Sequence, residues 1–186
     1  MIQDKVAEKF KEIMDLLNVT IDDSTIDTPK RVAKMYINEL FKGLNKANYP
    51  KITTVQNKFN YNQMLIEKGI KVHSVCEHHF VPIIGKAHIA YIPKDKIMGL
   101  SKFNRIVDYF SRRPQVQERL TNDILEDLKK VLETEDIAVI IDAEHFCVKM
   151  RGIQDQGTIT RTSALNGCFL EDISCRNELL GAIGSI

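Results

Sequence analysis

Lys86-Ala87-His88-Ile89-Ala90-Tyr91-Ile92-Pro93 is the stretch on which the fold turns. Ala87, Ile89 and Tyr91 recur at every second position, so an extended chain places them on one face. Pro93, which cannot donate to a ladder, ends the strand. Downstream, Ser101 is a candidate cap for a helix to Ser111, and Arg112-Arg113-Pro114 breaks it. A longer helix is expected over 115–133, with Leu120, Ile124, Leu128, Val131 and Leu132 inward. Residues 137–150 and 158–164 read as strands, and Arg176 to Ile183 as a last short helix. Upstream, 70–75 and 51–60 read as strands. A helix is expected from Thr28 to about Lys42, with Thr28 as cap, Pro29 in the first turn and Gly43 just past the end. The first helix, 4–17, is capped by Asp4 and gathers Val6, Phe10, Ile13, Met14 and Leu17 on one face. Helices, strands, helices, strands in that order indicate an α+β fold with an antiparallel sheet.

Composition narrows the function. The 26 basic and 25 acidic residues give 186 residues a net charge of +1. A domain holding nucleic acid by bulk charge is strongly basic, so no nucleic-acid partner is expected. The chain opens on Gln3-Asp4-Lys5 with no apolar leader, and its longest aliphatic run is Ile137 to Ile141, far short of a membrane span. A cytoplasmic protein with no membrane partner is expected. The cysteines at 76, 147, 168 and 175 are then thiols or metal ligands rather than disulfides. Charge is nevertheless local. Lys102, Arg105, Arg112, Arg113 and Arg119 cluster within 101–119, and Ser101, Lys102 and Arg105 fall in the first turns of a helix, where free N–H groups favour an anion.

The densest chemistry is Cys76-Glu77-His78-His79, in which one tight turn can offer a thiolate and an imidazole to one ion. His145-Phe146-Cys147 is the second cluster. On a strand, His145 and Cys147 emerge on the same face. Thiolate with imidazole favours zinc. Spacing alone leaves open which residue is the third ligand, and whether a fourth, such as Cys168, closes the site. Otherwise Cys168 and Cys175 read as buried thiols.

These residues, with Thr28-Pro29-x-Arg31-x-x-Lys34-Met35-Tyr36, Gly99-Leu100-Ser101-Lys102-x-x-Arg105, Arg113-Pro114-Gln115-Val116-Gln117-Glu118-Arg119-Leu120-Thr121 and Met150-Arg151-Gly152, resemble the GTP cyclohydrolase I family. The resemblance covers about 20–170. It implies zinc-dependent conversion of GTP to 7,8-dihydroneopterin triphosphate and formate, the first step of folate and pterin synthesis. It implies zinc ligands Cys76, His79 and Cys147, and proton-transfer roles for His78 and His145. Guanine recognition falls on Glu118, with Gln117 beside it and Ser101 near the base. Triphosphate contacts fall on Lys34, Lys102, Arg105 and Arg151, with Arg31 a weaker candidate. The implied architecture is the tunnelling fold: an antiparallel sheet with two long helices on one face over 51–186, after an N-terminal helical segment, 1–50. The implied assembly is a homo-oligomer, a decamer of two pentamers with sites between subunits. The short N-terminus suggests a bacterial-type member, and Gln154-Asp155-Gln156-Gly157-Thr158 departs from the family's usual loop. Competing readings are another enzyme on the same fold, a pterin synthase or a nitrile reductase, or a non-catalytic zinc module.

Overall fold

The computed structural model describes residues 1–184. The chain runs through α1 (Ile2–Leu16), α2 (Thr28–Met35), β1 (Thr54–Gln56), β2 (Leu65–Cys76), β3 (Pro82–Tyr91), β4 (Lys96–Met98), α3 (Leu100–Ser111), β5 (Pro114–Gln115), α4 (Gln117–Leu132), β6 (Ile137–His145), α5 (Phe146–Lys149), β7 (Thr160–Leu165), α6 (Cys168–Glu171) and α7 (Ile173–Ile183). The main sheet has the order β5-β2-β3-β6-β7, antiparallel except for the short β2–β5 pair. This is the expected α+β fold, with the two long helices on one face.

Strand periodicity explains the layering. Ala87, Ile89 and Tyr91 of β3 share a buried face with Val139 and Ile141 of β6, beneath Phe103 and Ile106 of α3 and Leu120, Ile124 and Leu128 of α4. The alternate residues Ala90, Ala138 and Ile140 lie on the opposite face, under Phe169, Leu179 and Ile183. Both faces of β6 are therefore covered, which is why Ile137 to Ile141 is an unbroken apolar run. Each fully buried large aliphatic chain in these layers contributes about 1.5–3 kcal/mol.

Several local expectations are corrected. The helix from Thr28 is capped at Asp27 and is α-helical only to Met35, continuing as a π-helical turn over Tyr36–Leu40. Gly43 is not a helix-end glycine. A Cβ there would sit 2.2 Å from the Tyr109 carbonyl oxygen, so the residue permits close approach to α3. Asp4 lies inside α1 and accepts from the terminal amine at 2.7 Å. Of the α1 face, Met14 is buried while Ile13 and Leu17 stay exposed. Only Thr54–Gln56 of 51–60 is a strand, paired with β4 in a separate two-stranded sheet. Gly99, not Ser101, caps α3.

Candidate metal and substrate site

The site forms where β2 and β6 end. The Cys76 N–H donates to the Val81 carbonyl at 2.8 Å, and the Phe80 N–H to the Cys76 carbonyl at 2.8 Å, closing a tight turn into β3. Phe80 takes φ +53°, the left-handed conformation that reverses the chain. The turn carries Cys76, His78 and His79. The register Ile83↔His145 brings the end of β6 alongside. There the sequence reading is corrected: the strand ends at His145, and Cys147 belongs to the single-turn helix α5. The two residues approach the site through a strand-to-helix switch rather than from one strand face.

Cys76, His79 and Cys147 each present one ligand atom, and these atoms all lie within 4.8 Å of one another. The Cys76 Sγ is 3.8 Å from His79 Nδ1 and 3.9 Å from His78 Nδ1, so distance to Cys76 alone does not separate the histidines. Convergence with Cys147 selects His79. Ligand atoms on a tetrahedral zinc, at bonds of ~2.3 Å to sulfur and ~2.0 Å to nitrogen, sit roughly 3.5–3.8 Å apart. Two thiols and an imidazole gathered within 4.8 Å match the donor set that suits zinc. Burial, and then the neighbouring Cys76, push the Cys147 thiol up from its ordinary value. Two thiols packed this way resist becoming two thiolates without a cation between them. Cys168 is elsewhere, on the far side of the sheet with Cys175, and is not a fourth ligand.

The metal turn is braced from α4. Arg119 forms an ion pair with Glu77, donates from Nε to Gln115 Oε1 at 2.9 Å, and reaches the Pro114 carbonyl at 3.2 Å. The Glu77 N–H donates to the Gln115 carbonyl at 3.0 Å. The Arg119 guanidinium holds the Glu77 carboxyl below its usual range. The sequence reading missed this brace. Its one signal, a carboxylate inside the Cys-x-x-His turn with an arginine on a helix, is too common to single out.

His145 is held from the other side. Its Nε2 is 2.6 Å from Gln117 Oε1. The Gln117 Nε2 donates to the carbonyls of Ile141 and Thr160, both at 2.9 Å. Carbonyls only accept, so the amide group must face them and its oxygen must face His145. His145 therefore carries its proton on Nε2, leaving Nδ1 as an open acceptor. Gln117 is 1% exposed. Burial lowers the His145 pKa, partly offset by the carboxylate of Glu118, an exposed residue in the first turn of α4.

A family model for GTP cyclohydrolase I matches residues 6–184. The chain belongs to the GTP cyclohydrolase I family. It is 52% identical over 179 residues to the GTP cyclohydrolase 1 of Enterobacter sp. (strain 638), covering 96% of this chain and 81% of that one. It is 52% identical over 180 residues to that of Serratia proteamaculans (strain 568), with the same coverage. Among solved structures, the archaeosine synthase QueF-Like in the apo form aligns with 56% of this chain and 93% of its own at 20% identity and a TM-score of 0.47. Membership makes the chain an enzyme, a GTP cyclohydrolase.

The phosphate candidates of this family member divide into two groups. Arg151 reaches the metal turn, its Nη1 3.1 Å from His79 Nε2. The others stand apart. Arg105 lines a cavity of about 920 Å³ with Lys42, Lys71, Asp108 and Arg112, and none of the three sulfur and imidazole ligands lines it. Lys102 donates to the Lys51 carbonyl at 2.9 Å. Ser101 lies in the first turn of α3 and Lys34 in the last turn of α2. Arg31 lies 4.0 Å from Asp27. Among the described residues, no hydrogen bond or ion pair joins Lys34, Ser101, Lys102 or Arg105 to Cys76, His79 or Cys147. Among the described residues, no helix is long and apolar enough to cross a membrane.

Proposed function

We propose that this GTP cyclohydrolase holds zinc at Cys76, His79 and Cys147 and converts GTP to 7,8-dihydroneopterin triphosphate and formate in the cytoplasm. The observation that carries this is the convergence of the three ligand atoms beside a histidine whose free nitrogen is set by Gln117. Bound zinc supplies a Lewis acid that activates water against the purine C8. The chain's own residues move the protons. His145, kept neutral by burial, accepts at Nδ1 while Gln117 holds its Nε2 proton. The exposed His78 exchanges protons with N7 of the base and with solvent. Glu118 accepts from the guanine N1–H and exocyclic amine, a donor pair that adenine lacks. Gln117, spent on protein atoms, orients His145 and contributes to recognition only through its neighbour.

Arg151 changes partner. As a donor to His79 Nε2 it requires the His79 proton on Nδ1, facing Cys76. If His79 held a metal through Nδ1, its proton would have to sit on Nε2, where it would face the Arg151 donor. Arg151 would then be free to meet the triphosphate. Lys34, Ser101, Lys102 and Arg105, unlinked to the metal turn within one chain, fit a site completed between subunits of a decamer of two pentamers. The test is zinc content measured with formate release and the fluorescence of the oxidised product from GTP. Zinc-loaded protein that gives neither product refutes the reading.

A further inference from the structure

Cys168 and Cys175 take no part in the site above. Cys168 is the first residue of α6, and Cys175 lies in the first turn of α7. Their sulfurs are 2.8 Å apart. A disulfide needs about 2.05 Å, so closing one takes a shift of under about 1 Å. Both backbones are anchored. The Cys168 N–H donates to Asp136 Oδ1 at 2.9 Å. Gly167, at φ +56°, brings the chain so close to the segment just before β6 that a Cβ would meet Asp136 Oδ1 at 2.3 Å. Arg176, next to Cys175, donates to the carbonyls of Phe169 and Leu170 and so ties α7 to α6. Both thiols are half-buried rather than sealed.

We propose that Cys168 and Cys175 are an oxidisable dithiol that closes to a disulfide in the folded chain when met by hydrogen peroxide, clamping α7 onto α6. Burial, with Cys175 alongside, pushes the Cys168 thiol up to about 12. Either sulfur, as its thiolate, can attack the peroxide across the 2.8 Å separation, and the other then resolves it. The attacker's S–H and the O–O bond break, an S–OH forms, and one water leaves. The second sulfur displaces the hydroxyl of that sulfenic acid. Its own proton leaves with the hydroxide as a second water, and the two electrons reside in the reduced oxygens. The clamp fixes Leu179 and Ile183 over Ala90, Ala138 and Ile140.

The test treats the native protein with hydrogen peroxide, blocks remaining thiols with iodoacetamide and cleaves after Glu171. The expected product is a linked peptide pair bridging Cys168 and Cys175, about 2 Da lighter than the two thiol peptides together. Amide exchange along α7 slows in the oxidised protein, and reductant reverses both changes. Cys168→Ser gives no linked pair and accumulates oxidised Cys175. Both residues recovered as alkylated thiols after the peroxide treatment, a link formed only in denaturant, or α7 exchange unchanged by the link would each overturn the proposal.

Discussion

Gln117 Oε1 and His145 Nε2 meet at 2.6 Å, and the glutamine that makes this bond is itself pinned by two main-chain carbonyls. The imidazole beside the metal turn is thus oriented by the sheet, through one buried amide. In Gln117→Leu both carbonyls and the ring lose a partner. Stability should fall by roughly 2–3 kcal/mol, the cost of buried groups left unpaired. The turnover number should drop by about 10- to 100-fold, with a smaller change in KM. Steady-state kinetics with GTP and urea unfolding read the two effects, and an unchanged turnover number in a folded variant refutes the orienting role.

Arg119 acts on the metal turn without touching a ligand. Arg119→Ala frees Glu77 and loosens the link from Gln115 to the turn. Zinc affinity should fall by about 10-fold or more, as is usual when a group behind the ligands is lost. Competition with a chromogenic chelator measures it. Wild-type affinity in the variant would mean that the turn is set by its own backbone alone.

The two histidines of the turn separate by readout. His79→Ala should lose bound zinc and activity together. His78→Ala should keep zinc within about 2-fold and lose turnover by about 100-fold or more. If His78→Ala sheds the metal instead, the ligand assignment is reversed.

His88 gives a pH dependence outside the site. It is buried on the far face of the sheet with its Nδ1 unpartnered and its Nε2 3.7 Å from Asp142. Burial lowers its pKa; Asp142 opposes that, and Arg161, Lys68 and Lys86 add to it. The unfolded chain, with His near pKa 6.5, takes up a proton before the folded chain does. Stability is therefore at its full value above about 6.5 and is lost as pH falls from there towards the lower folded pKa. His88→Gln should flatten that slope, as read from urea midpoints at pH 7.5 and 5.0. Equal slopes in the two proteins count against it.

Legibility followed sequence distance. The β3 alternation and the inward leucines of α4 are local periodicities, and the structure places them as the sequence reading does. The ligand types were equally visible, because a thiol and imidazole turn is a local pattern. The failures were tertiary. Pro114–Gln115 reads as a helix boundary, yet pairing with β2 makes it a strand. His145-Phe146-Cys147 reads as strand, yet the chain switches to helix after His145. Gln117 is satisfied by residues 24 and 43 positions away, and no spacing rule points to such partners.

The switch from β6 to α5 has a mechanical consequence. His145 ends a strand paired with β3 up to this residue and with β7 as far as Ala143, and it shares the stiffness of the sheet. Cys147, two residues on, rides on an isolated helical turn of four residues, the most compliant kind of support. Under the proposed function, Cys147 on its soft mount would adjust to the metal it would hold, and His145 on the stiffer one would keep its aim as the proposed proton carrier.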